Sequence, residues 1–482
     1  MTLDKTPLLE VKDLSLSFRQ YKKGLRETTM QVIHRLDMKI YEGEIVAVIG
    51  ASGSGKSLLA NAILGILPEH AQLSGILNYK GEPITAEKQT ALRGKEISLI
   101  PQSVHALDPL MKTSKQVQAV VRKGNRKTTQ REVFQQIGLP IEVEKQYPFE
   151  LSGGMARRVL AATSIISSAN LIIADEPTPG LDPHALNETV YPIKELATAG
   201  KGIMFITHDI NTALKIADRV VVMNEGETVD QANVEDFTGK GERLKHPYTR
   251  KLWNVLPQND FVSLKSPPVN AMVKPMDGSL VVKEMAYHYP NESPIFEQLN
   301  LKLNAGEVVG LFGYSGSGKS TMAQLIAGYM NPHEGTVEVD GETDFRARIH
   351  PVQLIWQHPE AVINPKWQMK KILTEAQVSD KELLQVLEIK EEWLSRYPSE
   401  LSGGELQRFC VARALHENTK YIIADEMTTM LDAITQAQIW QAVLKLARQR
   451  NIGVLAISHD HHLLQRVSDR VIDFETLENR EA

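Results

Sequence analysis

Short unbroken apolar runs recur along this chain, each ending in glycine or a polar residue. In the first half they are EIVAVIG (44–50), EISLIPQ (96–102), LIIADE (171–176), GIMFITH (202–208) and RVVVMNEG (219–226). Runs of this length without polar alternation predict strands buried on both faces. Between them lie stretches with apolar positions three and four apart, such as SLLANAILGIL at 57–67, which predict crossover helices. The alternation implies a mostly parallel sheet wrapped by helices. The interval Ser103 to Glu150 is rich in lysine, glutamine and arginine at helical spacing. It predicts a smaller helical subdomain inserted into the sheet unit.

The pattern then repeats. EVVGLFG, VQLIWQ, YIIADEM and GVLAISH in the second half answer the runs of the first, and LSGGELQR at Leu401 answers LSGGMARR at Leu151. Lys56 to Lys319 is 263 residues, Gln102 to Gln357 is 255, and both Ser152 to Ser402 and Glu176 to Glu426 are 250. The second copy is therefore 13 residues shorter, all lost before LSGG, while LSGG and the acidic pair stay 24 apart in both. Constant spacing there marks the part whose geometry is constrained. The expected architecture is α/β: a first domain at 1–238, a proline-rich linker at 239–277 and a second domain at 278–482. The linker holds Pro247, Pro257, Pro267, Pro268 and Pro275, and HPYTRKLWNVL within it can form a short helix on the first domain.

Each copy carries a glycine loop between its first sheet strand and the next helix. GASGSGKS comprises Gly50, Ser52, Gly53, Ser54, Gly55, Lys56 and Ser57 around Ala51. GYSGSGKS comprises Gly313, Ser315, Gly316, Ser317, Gly318, Lys319 and Ser320 around Tyr314. Both fit G-x-x-x-x-G-K-[ST], in which backbone N–H groups at a helix N-terminus close around phosphate oxygens. The lysine reaches the outer phosphates and the following serine holds Mg²⁺. A glycine-rich turn with a chance lysine is the plainer alternative; two full matches in the same strand–loop–helix context stand against it. The chain is expected to bind nucleoside triphosphate in two places.

Further groups fall at strand ends. Asp175 and Asp425 end buried strands, where a carboxylate can bind Mg²⁺. Glu176 and Glu426 follow, placed to polarise the water that attacks the γ-phosphate, a role typically worth about 10²–10⁴ in rate. Gln102 and Gln357 can contact Mg²⁺ or that water without adding charge. His208 and His459 lie 32 and 33 residues beyond the glutamates and can reach the γ-phosphate; a lone histidine is more often structural, but both copies place one here. His461 and His462 have no counterpart and are read as solvated. Ser152, Gly153 and Gly154, with Ser402, Gly403 and Gly404, open helices and offer donors to an anion, or serve as plain N-caps. Phe18 and Tyr289 are candidates to stack on adenine, with core packing the alternative and Tyr21 a rival to Phe18.

Composition narrows the classes. A net charge of −5 with no long basic run argues against nucleic acid as the main partner. The single cysteine, Cys410, excludes internal disulfides and cysteine-held metal clusters; its apolar surroundings predict a buried, inert thiol. No apolar run approaches the roughly eighteen residues of a membrane span, and the N-terminal stretch lacks a secretion signal. The expected location is cytoplasmic, at a membrane only by docking.

This ordered set of motifs resembles the ATP-binding cassette (ABC) ATPases, twice over. Under that resemblance the glycine loops are Walker A, the glutamines the Q-loops and LSGG the signature. The LIIADE and YIIADE runs are Walker B, Gly180-Leu181-Asp182 and Met430-Leu431-Asp432 the D-loops, and His208 and His459 the switch histidines. It implies head-to-tail pairing of the two cassettes within the chain, each ATP lying between one Walker A and the opposite signature. The segments SVHALDPLM and HPEAVINPKW after the glutamines, and HPYTRKL, are similar to the oligopeptide, dipeptide and nickel import ATPases. That likeness implies ATP and Mg²⁺ as cofactors, two integral-membrane permease subunits and an extracytoplasmic solute-binding protein. It places the chain on the cytoplasmic face of the membrane. Absence of the tail cysteines common among peptide importers favours nickel or a metal–chelator complex. Arg157 in place of the usual signature-helix glutamine, Gly180 for alanine and Met427 for proline depart from the family pattern without removing a charged catalytic group. A soluble tandem cassette protein acting on ribosomes is the competing class, though its long charged linker is missing. A DNA-repair cassette protein would need cysteine-held zinc, and fused sugar importers commonly lack one of the two glutamates.

Overall fold

The computed structural model describes residues 6–22, 26–178, 183–261, 278–290, 293–314, 316–345 and 349–478. The chain divides into two compact units, Met1–Trp253 and Asn254–Ala482.

In the first unit, strands β1 (Leu9–Lys22), β2 (Arg26–Ile40), β4 (Ala71–Tyr79) and β5 (Glu82–Pro83) form an antiparallel sheet in the order β2-β1-β4-β5. The second sheet contains β3 (Ile45–Gly50), β6 (Ile97–Ile100), β7 (Leu171–Asp175), β8 (Gly202–Ile206), β9 (Arg219–Asn224) and β10 (Glu227–Asn233). Its order is β10-β9-β3-β8-β7-β6, parallel throughout except for the β9–β10 hairpin. Every residue of β3, β7 and β8 is buried, as the unbroken apolar runs require of strands covered on both faces. One face packs against β1, β2 and the helix Lys56–Leu64. The other packs against the helix Gly153–Ile165 and the insert helices Thr113–Val120 and Arg126–Gln136, through Val117, Val133, Phe134 and Ile137.

The second unit repeats the plan. Strands β11 (Ser279–Tyr287), β12 (Phe296–Asn304) and β14 (Glu334–Val339) form an antiparallel sheet in the order β12-β11-β14. The parallel sheet contains β13 (Val308–Phe312), β15 (Val352–Ile355), β16 (Tyr421–Asp425), β17 (Gly453–Ser458) and β18 (Arg470–Asp473), in the order β15-β16-β17-β13-β18. Five of the missing residues fall after the glutamine, where the 11-residue helix Arg126–Gln136 is answered by Lys381–Val386, of 6 residues.

The helix Pro247–Asn254 lies against the first unit. Arg250 donates to the carbonyls of Gly241 and Leu244, and the Trp253 indole to that of Gly239 at 3.0 Å. Residues 255–261 belong with the second unit: Val255 and Phe261 pack into its core, and Arg466 donates to the carbonyls of Pro257 and Asn259. Pro267, Pro268 and Pro275 lie outside the described residues. Among the described residues no helix is long and apolar enough to cross a membrane. Cys410 is buried, which pushes its thiol up to about 12.

Candidate functional site

Each glycine loop leaves its sheet strand and enters a helix whose N-cap is glycine in the left-handed region, Gly55 at φ 96° and Gly318 at φ 96°. A side chain at either position would be strained, and a Cβ at Gly318 would sit 2.4 Å from Ile295 Cγ2. Lys56 and Lys319 start the two helices and are buried. In the first unit Lys56 Nζ donates to the carbonyls of Gly50 and Ala51 at 2.9 Å. In the second Lys319 Nζ donates to the Tyr314 carbonyl at 2.5 Å, and burial holds this amine below its usual range. The Ser54 hydroxyl is buried inside the loop without a hydrogen-bond partner among the described residues. A cation turned onto backbone carbonyls and an orphaned hydroxyl form a cradle of donors fitted to an anion. Ser315 lies outside the described residues.

The strand ends bring the acidic groups to this cradle. Ser57 Oγ donates to Asp175 Oδ1 at 3.1 Å, and Ser320 hydrogen-bonds Asp425. Burial pushes Asp175 up to about 6 despite the serine, and it raises Asp425 as well. A carboxylate held at a disadvantage beside a hydroxyl is a donor set suited to a divalent cation, which would restore its charged form.

Glu176 and Glu426 stand one residue past these strands in the left-handed region, at φ 48° and 45°. Each amide still continues the parallel ladder, Glu176 donating to Ile206 O at 2.9 Å and Glu426 to Ile457 O at 3.1 Å. Non-glycine residues held in that region cluster at working sites. Each glutamate meets its histidine, with His208 Nδ1 2.5 Å from Glu176 Oε2 and His459 Nδ1 3.1 Å from Glu426 Oε1. Burial alone would raise both glutamates, yet the hydrogen bond and charge of the histidine hold each below its usual value. Reciprocally, His208 is raised against its burial by Glu176, and His459 is raised by its bond to Glu426.

The copies differ at the glutamines. Gln357 Nε2 donates to Glu426 Oε2 at 3.1 Å, whereas Gln102 is exposed and among the described residues forms no such bond. Ser152 and Ser402 are N-caps, accepting from Met155 N at 3.3 Å and Glu405 N at 3.4 Å. Within each unit they therefore do what the plainer alternative describes. A Cβ at Gly153 would meet nothing within 4 Å, while one at Gly404 would strike Thr435 Cγ2 at 2.8 Å. Asp432 caps the helix Ala433–Arg450 through Thr435 N; Gly180, Leu181 and Asp182 lie outside the described residues. Phe18 is half-buried against the core, its ring 5.6 Å from that of His70. Tyr289 touches Thr321 Oγ1 through its hydroxyl at 3.3 Å and packs edge-on against Tyr287. The side chain of Tyr21 lies outside the description. Sequence reasoning marked Arg157 only as a departure; the structure leaves it half-buried, and burial holds its guanidinium below its usual range against the opposing charge of Glu176. The mismatch of Arg157 with Gln407 between the copies was the signal available.

The family model described as ABC transporter matches residues 33–179 and 296–429. The uncharacterized ABC transporter ATP-binding protein YejF of Escherichia coli strain K12 is 31% identical over 502 residues, covering 96% of this chain and 93% of that protein. The glutathione import ATP-binding protein GsiA of Pectobacterium atrosepticum is 29% identical, covering 98% of this chain and 85% of that protein. Its namesake in Escherichia coli strain K12 is 30% identical, covering 97% and 85%. Among solved structures, an RNase-L inhibitor has a TM-score of 0.63 at 21% identity, covering 96% of this chain and 87% of that one. A model of ribosome-bound archaeal Pelota and ABCE1 has a TM-score of 0.66 at 20% identity, covering 96% and 76%. These structural likenesses concern the fold. The chain belongs to the ABC transporter family, as an ATPase carrying two ATP-binding cassettes in one polypeptide.

Proposed function

We propose that this chain is the ATP-hydrolysing subunit of a membrane importer, working at the cytoplasmic face through separate permease subunits fed by an extracytoplasmic binding protein. The observation that carries the reading is the duplicated lysine, aspartate, glutamate and histidine set, with each glutamate in contact with its histidine. The domains run 1–238 and 278–482, and the first part of the 239–277 linker travels with the first unit.

Lys56 and Lys319, with their loop amides, bind the ATP phosphates in exchange for the carbonyls they now hold. Ser57, Asp175 and Gln102, and Ser320, Asp425 and Gln357, would hold Mg²⁺, which when bound offsets phosphate charge. Glu176 and Glu426 orient and deprotonate water; His208 and His459 fix those carboxylates and face the γ-phosphate. Phe18 and Tyr289 stack on adenine. Ser152 to Gly154 complete the site of Lys319, and Ser402 to Gly404 that of Lys56, so that ATP closes the halves and hydrolysis opens them.

The solute is a small peptide or peptide-like molecule, or a nickel or metal–chelator complex; relatives named for glutathione import favour the first. The alternative is a soluble tandem protein acting on ribosomes. Near-full-length relatives named as ATP-binding import proteins favour transport, because the ribosomal likeness is one of fold. The test is purification of the tagged chain from detergent-solubilised membranes, followed by reconstitution in vesicles. The importer reading expects two multi-spanning subunits and ATP-driven uptake. Co-sedimentation with ribosomes and no membrane subunits would overturn it.

A further inference from the structure

The turns that follow the two glutamines are held from different elements. In the second unit the helix Gly403–Ala414 reaches both ends of the turn around Gln357. Gln407, 1% exposed, donates from Nε2 to the Trp356 carbonyl at 3.3 Å. Arg413 donates from Nη1 to the Val362 carbonyl at 3.3 Å and from Nη2 to Glu375 Oε2 at 3.1 Å. Gln407 Oε1 and Arg413 Nε are buried without a hydrogen-bond partner among the described residues. Burying an idle polar atom costs stability, and the donors turned toward the carbonyls offset that cost. Trp356, Val362, Cys410 and Arg413 also line a cavity of about 570 Å³, so along this edge polar contacts rather than packing hold the turn to the helix. Between the two anchors, Gln357 donates to Glu426 Oε2 at 3.1 Å.

Five and eleven residues past Ser152, in the places of Gln407 and Arg413, stand Arg157 and Thr163. Thr163 Oγ1 donates to Leu160 O within its own helix at 2.6 Å, and among the described residues neither side chain bonds to the turn around Gln102. Instead Gln116 holds the chain further on, donating to the carbonyls of Asp108 at 2.9 Å and Met111 at 2.7 Å. Its helix is matched to one in the second unit by the first amide of each, Thr113 and Met369, which donate to Gln146 O and Arg396 O at 3.0 Å. In that frame the place of Gln116 falls to Ile372, which is buried and apolar.

We propose that Gln407 and Arg413 are positioning residues of the second hydrolytic site, holding the turn of Gln357 to the signature helix so that the amide stays on Glu426. Among the described residues the first site has no such hold. This rests on Glu426 being the group that orients the attacking water. A carboxylate kept in place by a tethered amide presents fewer wrong orientations to the water, which raises turnover without strengthening ATP binding.

The experiment uses the full chain and two readouts. In hydrogen exchange, amides of 356–363 should exchange more slowly than those of 101–107. The Gln407→Leu/Arg413→Met chain should exchange the former at least about threefold faster and leave the latter unchanged. For turnover, Glu176→Gln disables the first site. In that background Gln407→Leu and Arg413→Met should each lower kcat about three- to tenfold with KM for ATP unchanged. With Gln357→Ala also present, either should lower it by less than about twofold, because the group they act through is gone. Full additivity with Gln357→Ala, unchanged exchange at 356–363, or a loss of kcat tracking a lowered unfolding midpoint would make them packing residues and overturn the proposal. If the Glu176→Gln chain turns over no faster than Glu176→Gln/Glu426→Gln, the second site is not hydrolytic and the proposal fails with that assignment, even where exchange responds as expected.

Discussion

Alanine at Gly50 tests how tightly the first phosphate loop is built. Its Cβ would lie 2.2 Å from the Met223 carbonyl oxygen and 3.0 Å from Ser54 Oγ. Gly50 is paired with Met223 in the parallel ladder between β3 and β9, so the obstacle is backbone within the sheet. Reaching ordinary contact, which begins at 3.4 Å, requires the strands to part by about 1 Å. Overpacking of a well-packed core costs about 1–3 kcal/mol, and a fixed carbonyl puts Gly50→Ala at the upper end, about 3 kcal/mol. Gly313 occupies the same position in the second loop, but its Cβ would meet side-chain atoms: Phe474 Cβ at 3.1 Å, Lys319 Cδ at 3.2 Å and Ser317 Oγ at 3.3 Å. Those yield by a few tenths of an ångström, for about 1 kcal/mol or less. A unit of this size loses about 2–4 °C per kcal/mol. In scanning calorimetry, Gly50→Ala should therefore lower the first unit's transition by about 6–12 °C, and Gly313→Ala should lower the second's by under about 4 °C. Equal shifts in the two variants, or none with Gly50→Ala, would refute the argument.

Glu176→Gln and Glu426→Gln should each lower steady-state ATPase activity while leaving binding of a fluorescent ATP analogue intact; an unchanged rate in the assembled complex would mean that site does not hydrolyse. The Glu176–His208 pair predicts a pH effect on stability. The raised histidine contributes fully below its ordinary value of about 6.5, and the contribution is lost as pH rises through its folded value. The first unit's unfolding midpoint should therefore fall more steeply as pH rises above about 6.5 in the parent than in His208→Gln. Charge reversals within Ala106 to Met111 or Ala361 to Trp367, the segments after the glutamines, should impair uptake more than basal ATPase; equal loss of both would indicate misfolding.

The sheet was legible because a strand covered on both faces leaves a continuous apolar run, and β3, β7, β16 and β17 fall inside the runs read from the chain. The glycine loops were legible for a similar reason: left-handed turns at Gly55 and Gly318 and a buried lysine leave few residue types possible. Antiparallel β1 and β2 were not resolved as a pair, since irregular register at Val11/Leu14 and Leu16/Ser17 breaks the alternation that marks such strands. The left-handed backbone of Glu176 and Glu426 leaves no mark in sequence, because glutamate is an ordinary residue for a strand end. The unequal use of Gln102 and Gln357 was equally hidden. It depends on how the turn after each strand places the amide.

Which halves complete each site is decided by pairing a loop lysine with each signature serine in turn. Two double variants of the full chain, Lys56→Ala/Ser402→Arg and Lys56→Ala/Ser152→Arg, are compared for ATPase activity in the assembled complex. If the halves pair crosswise, the first variant damages a single site twice and leaves the other working, while the second damages both. The crosswise account predicts that Lys56→Ala/Ser402→Arg keeps clearly more activity than Lys56→Ala/Ser152→Arg. The reverse order would contradict it.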